Sequence, residues 1–222
     1  MTTTTGPLTV PRVSTSARRL PVLAGFAFVG LGLVSSFLPG SPPASDASAA
    51  TIASYFRDHA DTIRVANFLG ALGTILLLFW FGALWRRLQA SDSDGLPLVA
   101  GVALAIGVAL AFVGGALSCT AASQIDSLGE GSKLLYTLSF MAFAVAGFGI
   151  AAFIASVCIV NVRAGFLPAW TNYLGGLAAI AFLVSTYGLV SDANAVNIFG
   201  LIGFLAWSAW TIALTVAMLR WE

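Results

Sequence analysis

Arg57-Asp58-His59-Ala60-Asp61 is the one stretch of this 222-residue chain where carboxylates, arginine and the single histidine stand together. A histidine beside two carboxylates can act as a pH-sensitive contact or a weak metal site. The spacing argues against the metal. On a helix His59 shares a face with Ile52, Tyr55, Phe56 and Ile63, while Ser54, Arg57, Asp58, Asp61 and Arg64 fall on the other side. That is an amphipathic helix with a solvated charged face, with Arg57 and Asp61 expected to pair at i, i+4. No G-x-S-x-G elbow, P-loop, or G-x-G-x-x-G opening a helix behind a strand accompanies it. Cys119 and Cys158 lack metal-ligand spacing and fall near opposite ends of the helices predicted below, so no bridge between them is expected. The sequence calls for no cofactor and no metal, and an enzyme is the less favoured reading.

The remaining polar chemistry is neutral and lies within long apolar runs: Asn67, Ser139, Ser156, Ser185, Thr186, Ser208, Thr211 and Thr215. Serine and threonine can bond the carbonyls of their own helix. The Asn67 amide needs partners of its own and is expected to bond between helices. Ion-coupled transporters usually keep an ionisable group deep in the membrane, and no Asp, Glu, Lys, Arg or His falls in the middle of any apolar run.

The elements that must position these residues follow from composition. The chain is 59% hydrophobic and 9% charged, with mean hydropathy +0.94. Soluble domains carry about 25% charged residues. Most of this surface must therefore face lipid or other helices, and a net charge of +1 offers no field for nucleic acid. The fold class is all-α, a polytopic membrane protein of six transmembrane helices with one outer amphipathic helix at about 48–60. The spans are expected at about 20–38, 65–85, 97–117, 134–160, 168–190 and 196–219, each long enough for a hydrocarbon core of about 30 Å. Residues 1–16 read as a disordered cytoplasmic tail and 17–222 as one domain. Residues 20–38 also resemble a signal peptide, but the run exceeds the usual h-region of about 7–15 residues, so retention is favoured.

Six spans put both termini on one side. With that side inside, Arg12, Arg18, Arg19, Arg86, Arg87, Arg163 and Arg220 are cytoplasmic, against Arg57, Arg64 and Lys133 outside. Trp85, Trp170 and Trp221 then fall at the inner interface. Leu20-Pro21, Leu96-Pro97 and Leu167-Pro168 each open a span, with proline expected at the first helical position. The recurrence is read as helix-start chemistry rather than a triplicated unit. Small residues repeat every four positions at Ala103, Gly107, Ala111 and Gly115, and again at Gly147, Ala151 and Ala155. They predict close packing within the bundle, with Leu104 and Leu110 expected to matter less.

The segment RAGFLPAWTNYLGGLAAIAFLVSTYG, Arg163 to Gly188, resembles the penultimate-helix region of a bacterial domain-of-unknown-function family, number 4386. The likeness is carried by a short basic link, the Leu167-Pro168-x-Trp170 helix start and a glycine-rich apolar helix. It implies a small six-helix protein of the bacterial cytoplasmic membrane and supplies no site residues. The leading expectation is a non-catalytic protein that binds an apolar ligand, a lipid or a partner, alone or as a homo-oligomer. Tyr55, Phe56, His59 and Asn67 are its candidate ligand residues, and the amphipathic helix is a cap over the outer mouth of the bundle or an anchor lying flat in the interface. A small-molecule transporter acting as an oligomer, with a cavity built from Asn67, Ser139, Ser185 and Thr211, is the second expectation. An intramembrane enzyme is the third.

Overall fold

The computed structural model describes residues 15–44, 46–92, 94–189 and 195–220. The expected tail up to residue 14, the turn at 191–194 and the interfacial Trp221 lie outside them. The elements are α1 (Thr15–Phe37), α2 (Ala49–Ser91), α3 (Leu96–Ser123), a short α4 (Ile125–Leu128), α5 (Ser132–Ala164), α6 (Trp170–Thr186) and α7 (Ala195–Arg220), with 3₁₀ turns at Gly129–Gly131 and Tyr187–Leu189. Six helices are long and apolar enough to cross a membrane.

The amphipathic segment and the second span are one uninterrupted helix of 43 residues, about 65 Å at 1.5 Å per residue. Ser48 is its N-cap. Its backbone is extended (φ −62°, ψ 152°) and its Oγ accepts the Thr51 N–H at 3.1 Å. Gly95, at φ 85°, turns the chain into α3, where Pro97 stands in the first turn, one residue after the expected first helical position. The other two prolines depart further from expectation. Pro21 lies inside α1, because that helix already begins at Thr15. Pro168 precedes α6 by a turn in which its carbonyl accepts the Thr171 N–H at 3.0 Å. The stretch 118–133, between the expected third and fourth spans, is largely helical as well, since α3 continues to Ser123 and α4 follows at once.

The six long helices close a ring. Helix α1 packs on α2, α2 on α3, α3 on α5, α5 on α6, α6 on α7 and α7 back on α1, while α2 and α5 also meet across the middle. Along the α1–α7 seam Gly25 meets Thr215, Phe28 meets Trp207 and Gly32 meets Phe204. The two helices are therefore antiparallel, and the start of α1 and the end of α7 share one end of the bundle. That end also holds Arg86, Arg87 and the Arg163 side chain, which reaches Asp94 at 3.4 Å. We call it the arginine end, and its opposite, where α2 begins, the cap end.

Outward faces are apolar too. Phe68, Leu72, Ile75 and Phe79 form an exposed stripe on α2, and Val102, Ile106 and Val113 one on α3. A perimeter of this kind suits lipid, not water. Inside, the arginine-end half is filled by aromatic rings: Trp80 against Trp210, Phe153 against Trp210 and Phe81 against Phe153, with centroids 5.5–6.4 Å apart. Trp80 Nε1 donates to Thr215 Oγ1 at 2.9 Å, so its N–H is satisfied in the core.

The small-residue ridges pack within the ring, as expected. A Cβ on Gly107 would lie 2.9 Å from Ile150 of α5, and one on Gly149 would lie 2.7 Å from the Ala103 carbonyl oxygen. Leu104 corrects the reading. At 1% exposure it is part of the core, so its truncation costs as any core leucine does.

Candidate functional site

The start of α2 is built to bury one face, and it does so against the bundle. Ile52, Phe56 and Ile63 are at most 3% exposed and cluster with Ala121 and Ala122 of α3 and Ile125 of α4. The Phe56 ring meets Tyr136 of α5 edge-on at 5.9 Å. The charged face stays in solvent, where its pairing differs from expectation. Arg57 lies 4.0 Å from Asp126 on α4, and Asp61 is taken by Arg64. The i, i+3 reach to Arg64 and the arrival of α4 beside Arg57 leave no role for an Arg57–Asp61 pair.

A strap, described at residues 38–44 and 46–48, runs between α1 and α2 over this end. Three side chains hold its carbonyls: Tyr55 Oη donates to Pro39 O at 3.2 Å, Tyr136 Oη to Pro43 O, and Lys133 Nζ to Ala47 O at 2.9 Å. Pro39, Pro42 and Pro43 stiffen the backbone they grip.

Beneath the strap are three adjoining cavities. The central chamber, about 380 Å³, takes wall from all six long helices, including Phe28 and Ser35 of α1, Gly70 of α2, Ala111 of α3, Phe143 of α5, Phe182 of α6 and Trp207 of α7. The side chamber, about 470 Å³, lies between α2 and α3 and runs from Arg64 and Cys119 past Asn67 and Gly115 to Thr74. The cap chamber, about 340 Å³, lies under Pro39, Gly40, Pro42, Tyr55 and Phe56. Ser35 and Phe143 line all three. Each lies within the range of about 300–1,000 Å³ usual for small-molecule sites. The floor of the central chamber is Trp207, packed on Phe28 at 5.0 Å and Phe182 at 6.0 Å, with the dense aromatic layer below.

The four sequence-derived ligand residues divide. Tyr55, Phe56 and Asn67 line the cap chamber, and Asn67 lines the side chamber as well. His59 lines neither. Its ring stacks on Tyr55 at 4.8 Å and its Nδ1 meets the Tyr55 carbonyl oxygen at 3.1 Å. Asn67 Nδ2 donates to Ile63 O of its own helix at 2.9 Å, not across helices as expected, and a Cβ on Gly115 would lie 2.9 Å from Oδ1. Of the proposed transport set, Asn67 and Ser139 line the cap chamber and Ser185 the central one, whereas Thr211 is fully buried. Most hydroxyls bond their own helix, among them Thr74, Ser156, Ser185 and Thr215. Among the described residues two serines bond across helices instead: Ser35 to Ala66 O and Ser139 to Gly114 O, each at 2.8 Å.

Sequence reasoning missed Lys133, Tyr136, Phe140 and Phe143. They recur at i, i+3, i+7 and i+10 on α5, a helical face running from the strap into the chambers. That periodicity was available but submerged in a helix apolar all round. Asn161 was missed too. At 2% exposure, it accepts the Leu167 N–H at 2.6 Å and donates to Asn172 Oδ1 at 2.9 Å, fastening the Leu-Pro turn to the end of α5.

Fold and site together define a ring of six helices of membrane-crossing length with apolar cavities at one end. No family model, no curated protein and no solved structure matches the chain.

Proposed function

We propose that this chain is a non-catalytic integral membrane protein that holds an apolar ligand, a lipid acyl chain, inside its ring. One observation carries the reading: all six long helices contribute to a chamber lined mainly by aromatic, aliphatic and small residues, with the hydroxyls of Ser35, Ser36, Thr74 and Ser185 among them. Such a lining suits a hydrocarbon chain and, with no charged side chain among its described residues, gives an ion no counter-charge. The aromatic floor favours holding a ligand over passing one through, so a transporter, alone or as an oligomer, is the second reading. An intramembrane enzyme is the third, since the acid–base group at 57–61 has its histidine outside the chambers.

The proposed setting is a bacterial cytoplasmic membrane with both termini inside and α1 retained as a span. The burial of Val22, Phe28 and Val29 of α1 in the common core supports retention. The charge pattern supports the orientation. Among the described residues the arginine end carries Arg19, Arg86, Arg87, Arg163 and Arg220, and the cap end Arg57, Arg64 and Lys133. Membership of family 4386 is proposed on Leu167, Pro168, Trp170 and the helix they open. Reporter fusions after Trp85 and after Asp126 are expected to give opposite signals; like signals would end the six-span reading.

The ligand itself is tested by purification. Ala111 lines both the central and the side chamber, so Ala111→Phe fills space in each. Native mass spectrometry of the unaltered protein should find a lipid-sized adduct, and the variant should lose it while remaining folded. An adduct that survives the substitution unchanged, or its absence from the unaltered protein, would remove the basis of the proposal.

A further inference from the structure

The side chamber differs from the other two in having a charge at one end. Among the described residues lining the three cavities, Arg64 is the one charged side chain. It is half exposed, on the part of α2 just outside the apolar run, and it pairs with the solvent-facing Asp61. A guanidinium has five N–H donors, so one carboxylate partner leaves donors for another anion. Phe68 and Phe112, exposed on the outer surfaces of α2 and α3, flank this chamber. Gly115 and Ala116 of α3 line the chamber between them, with the Asn67 amide packed against Gly115.

Inward from Arg64 the composition changes at once. Past the Asn67 amide the lining becomes Gly70, Ala71, Ala111 and Phe143. Gly70, Thr74, Ala111 and Phe143 are shared with the central chamber, which continues to Leu77. The stretch of α2 from Arg64 to Leu77 is about 20 Å long at 1.5 Å per residue. One leaflet of a hydrocarbon core is about 15 Å thick, so this path can take a membrane-length acyl chain.

From this polarity we infer that the site takes a single-chain amphiphile with an anionic head, a carboxylate or a phosphate. It enters sideways between α2 and α3, sets its head on Arg64 and threads its tail past Asn67 and Phe143 into the central chamber. The inference rests on the acyl-chain reading above and adds the head-group class, the residue that reads it and the way in. A free fatty acid and a lysophospholipid share this chemistry.

Trp207 on the chamber floor supplies a reporter, because bromine on a bound chain quenches indole fluorescence. The full chain, purified in neutral detergent, is titrated with dibromostearic acid and, separately, with its methyl ester. Ala111→Phe serves as the baseline for quenching from the micelle. The acid is expected to quench saturably and to bind roughly tenfold more tightly than the ester, the ratio given by losing a hydrogen bond to a charged group. Arg64→Gln should weaken the acid by a similar factor and leave the ester unmoved. Lysophosphatidic acid should displace the acid, and a neutral monoacylglycerol should do so only weakly. Saturable binding with no preference for acid over ester, in the unaltered protein, overturns the head-group inference but keeps the acyl-chain reading. Absence of any saturable quenching by either probe overturns both.

Discussion

Leucine in place of Gly149 should leave no folded, monodisperse protein in detergent. A Cβ at this position would stand 2.7 Å from both the Ala103 carbonyl oxygen and the Gly107 nitrogen, and 2.9 Å from the Gly107 Cα. These are backbone atoms of α3 and cannot rotate away as a side chain would. The whole α3–α5 seam must part, and in lipid that seam is held by close backbone contact, without a hydrophobic drive to restore it. Gly149→Ala is the milder form and should cost about 1–3 kcal/mol by overpacking. Gly82→Ala is the control: nothing lies within 4 Å of the added methyl, and alanine improves helix propensity by up to about 1 kcal/mol. Size-exclusion profiles and thermal unfolding separate them. A wild-type profile and midpoint for Gly149→Leu would mean that α3 and α5 do not meet this way.

The second large effect is expected at the cap. Phe56 is 1% exposed, and removing such a ring costs about 3–5 kcal/mol in a packed cluster. Tyr55→Ser adds the loss of its bond to the Pro39 carbonyl, a contribution of about 1 kcal/mol. The two sites are neighbours in one cluster, so their costs should not sum. The paired variant Tyr55→Ser, Phe56→Ser should unfold at markedly lower temperature and lose co-purified lipid, because the same side chains roof the cap chamber. If stability and bound lipid both stay as they were, this part of α2 is an anchor at the surface and the chambers have another roof.

The sequence made the class of this fold readable because apolar runs of span length are set by composition alone. The inward face of the α2 start was readable for a related reason. Charged residues opposite Ile52, Phe56 and Ile63 leave the helix only one way to turn. In α3 and α5 that contrast is gone, since lipid-facing and core-facing residues are equally apolar. Leu104 was therefore expected to matter less than the small ridge, yet it is part of the core. Gly149 went unnoticed because it stands off the four-residue repeat that marked Gly107. Asn67 could be recognised as a polar group needing a partner, but not as one served by its own helix. The strap contacts escaped because they join Tyr55, Lys133 and Tyr136 to carbonyls, which every residue has and no sequence motif marks. Pro21 misled too: proline suits the first turn, but here the helix starts six residues earlier, at Thr15.

The unbroken length of α2 bears on how the cavities could ever open. A cap joined by a flexible linker could swing as a flap, with its own degree of freedom. Here the cap is the first third of a rod whose other end carries Arg86 and Arg87, and backbone hydrogen bonds run through the junction. To leave its seat the rod must pivot or bend, and the Tyr55 hydroxyl must let go of the strap. A pivot would carry the two ends in opposite senses, so an event that lifts Phe56 at one surface would be registered at the other as a displacement of the arginine pair.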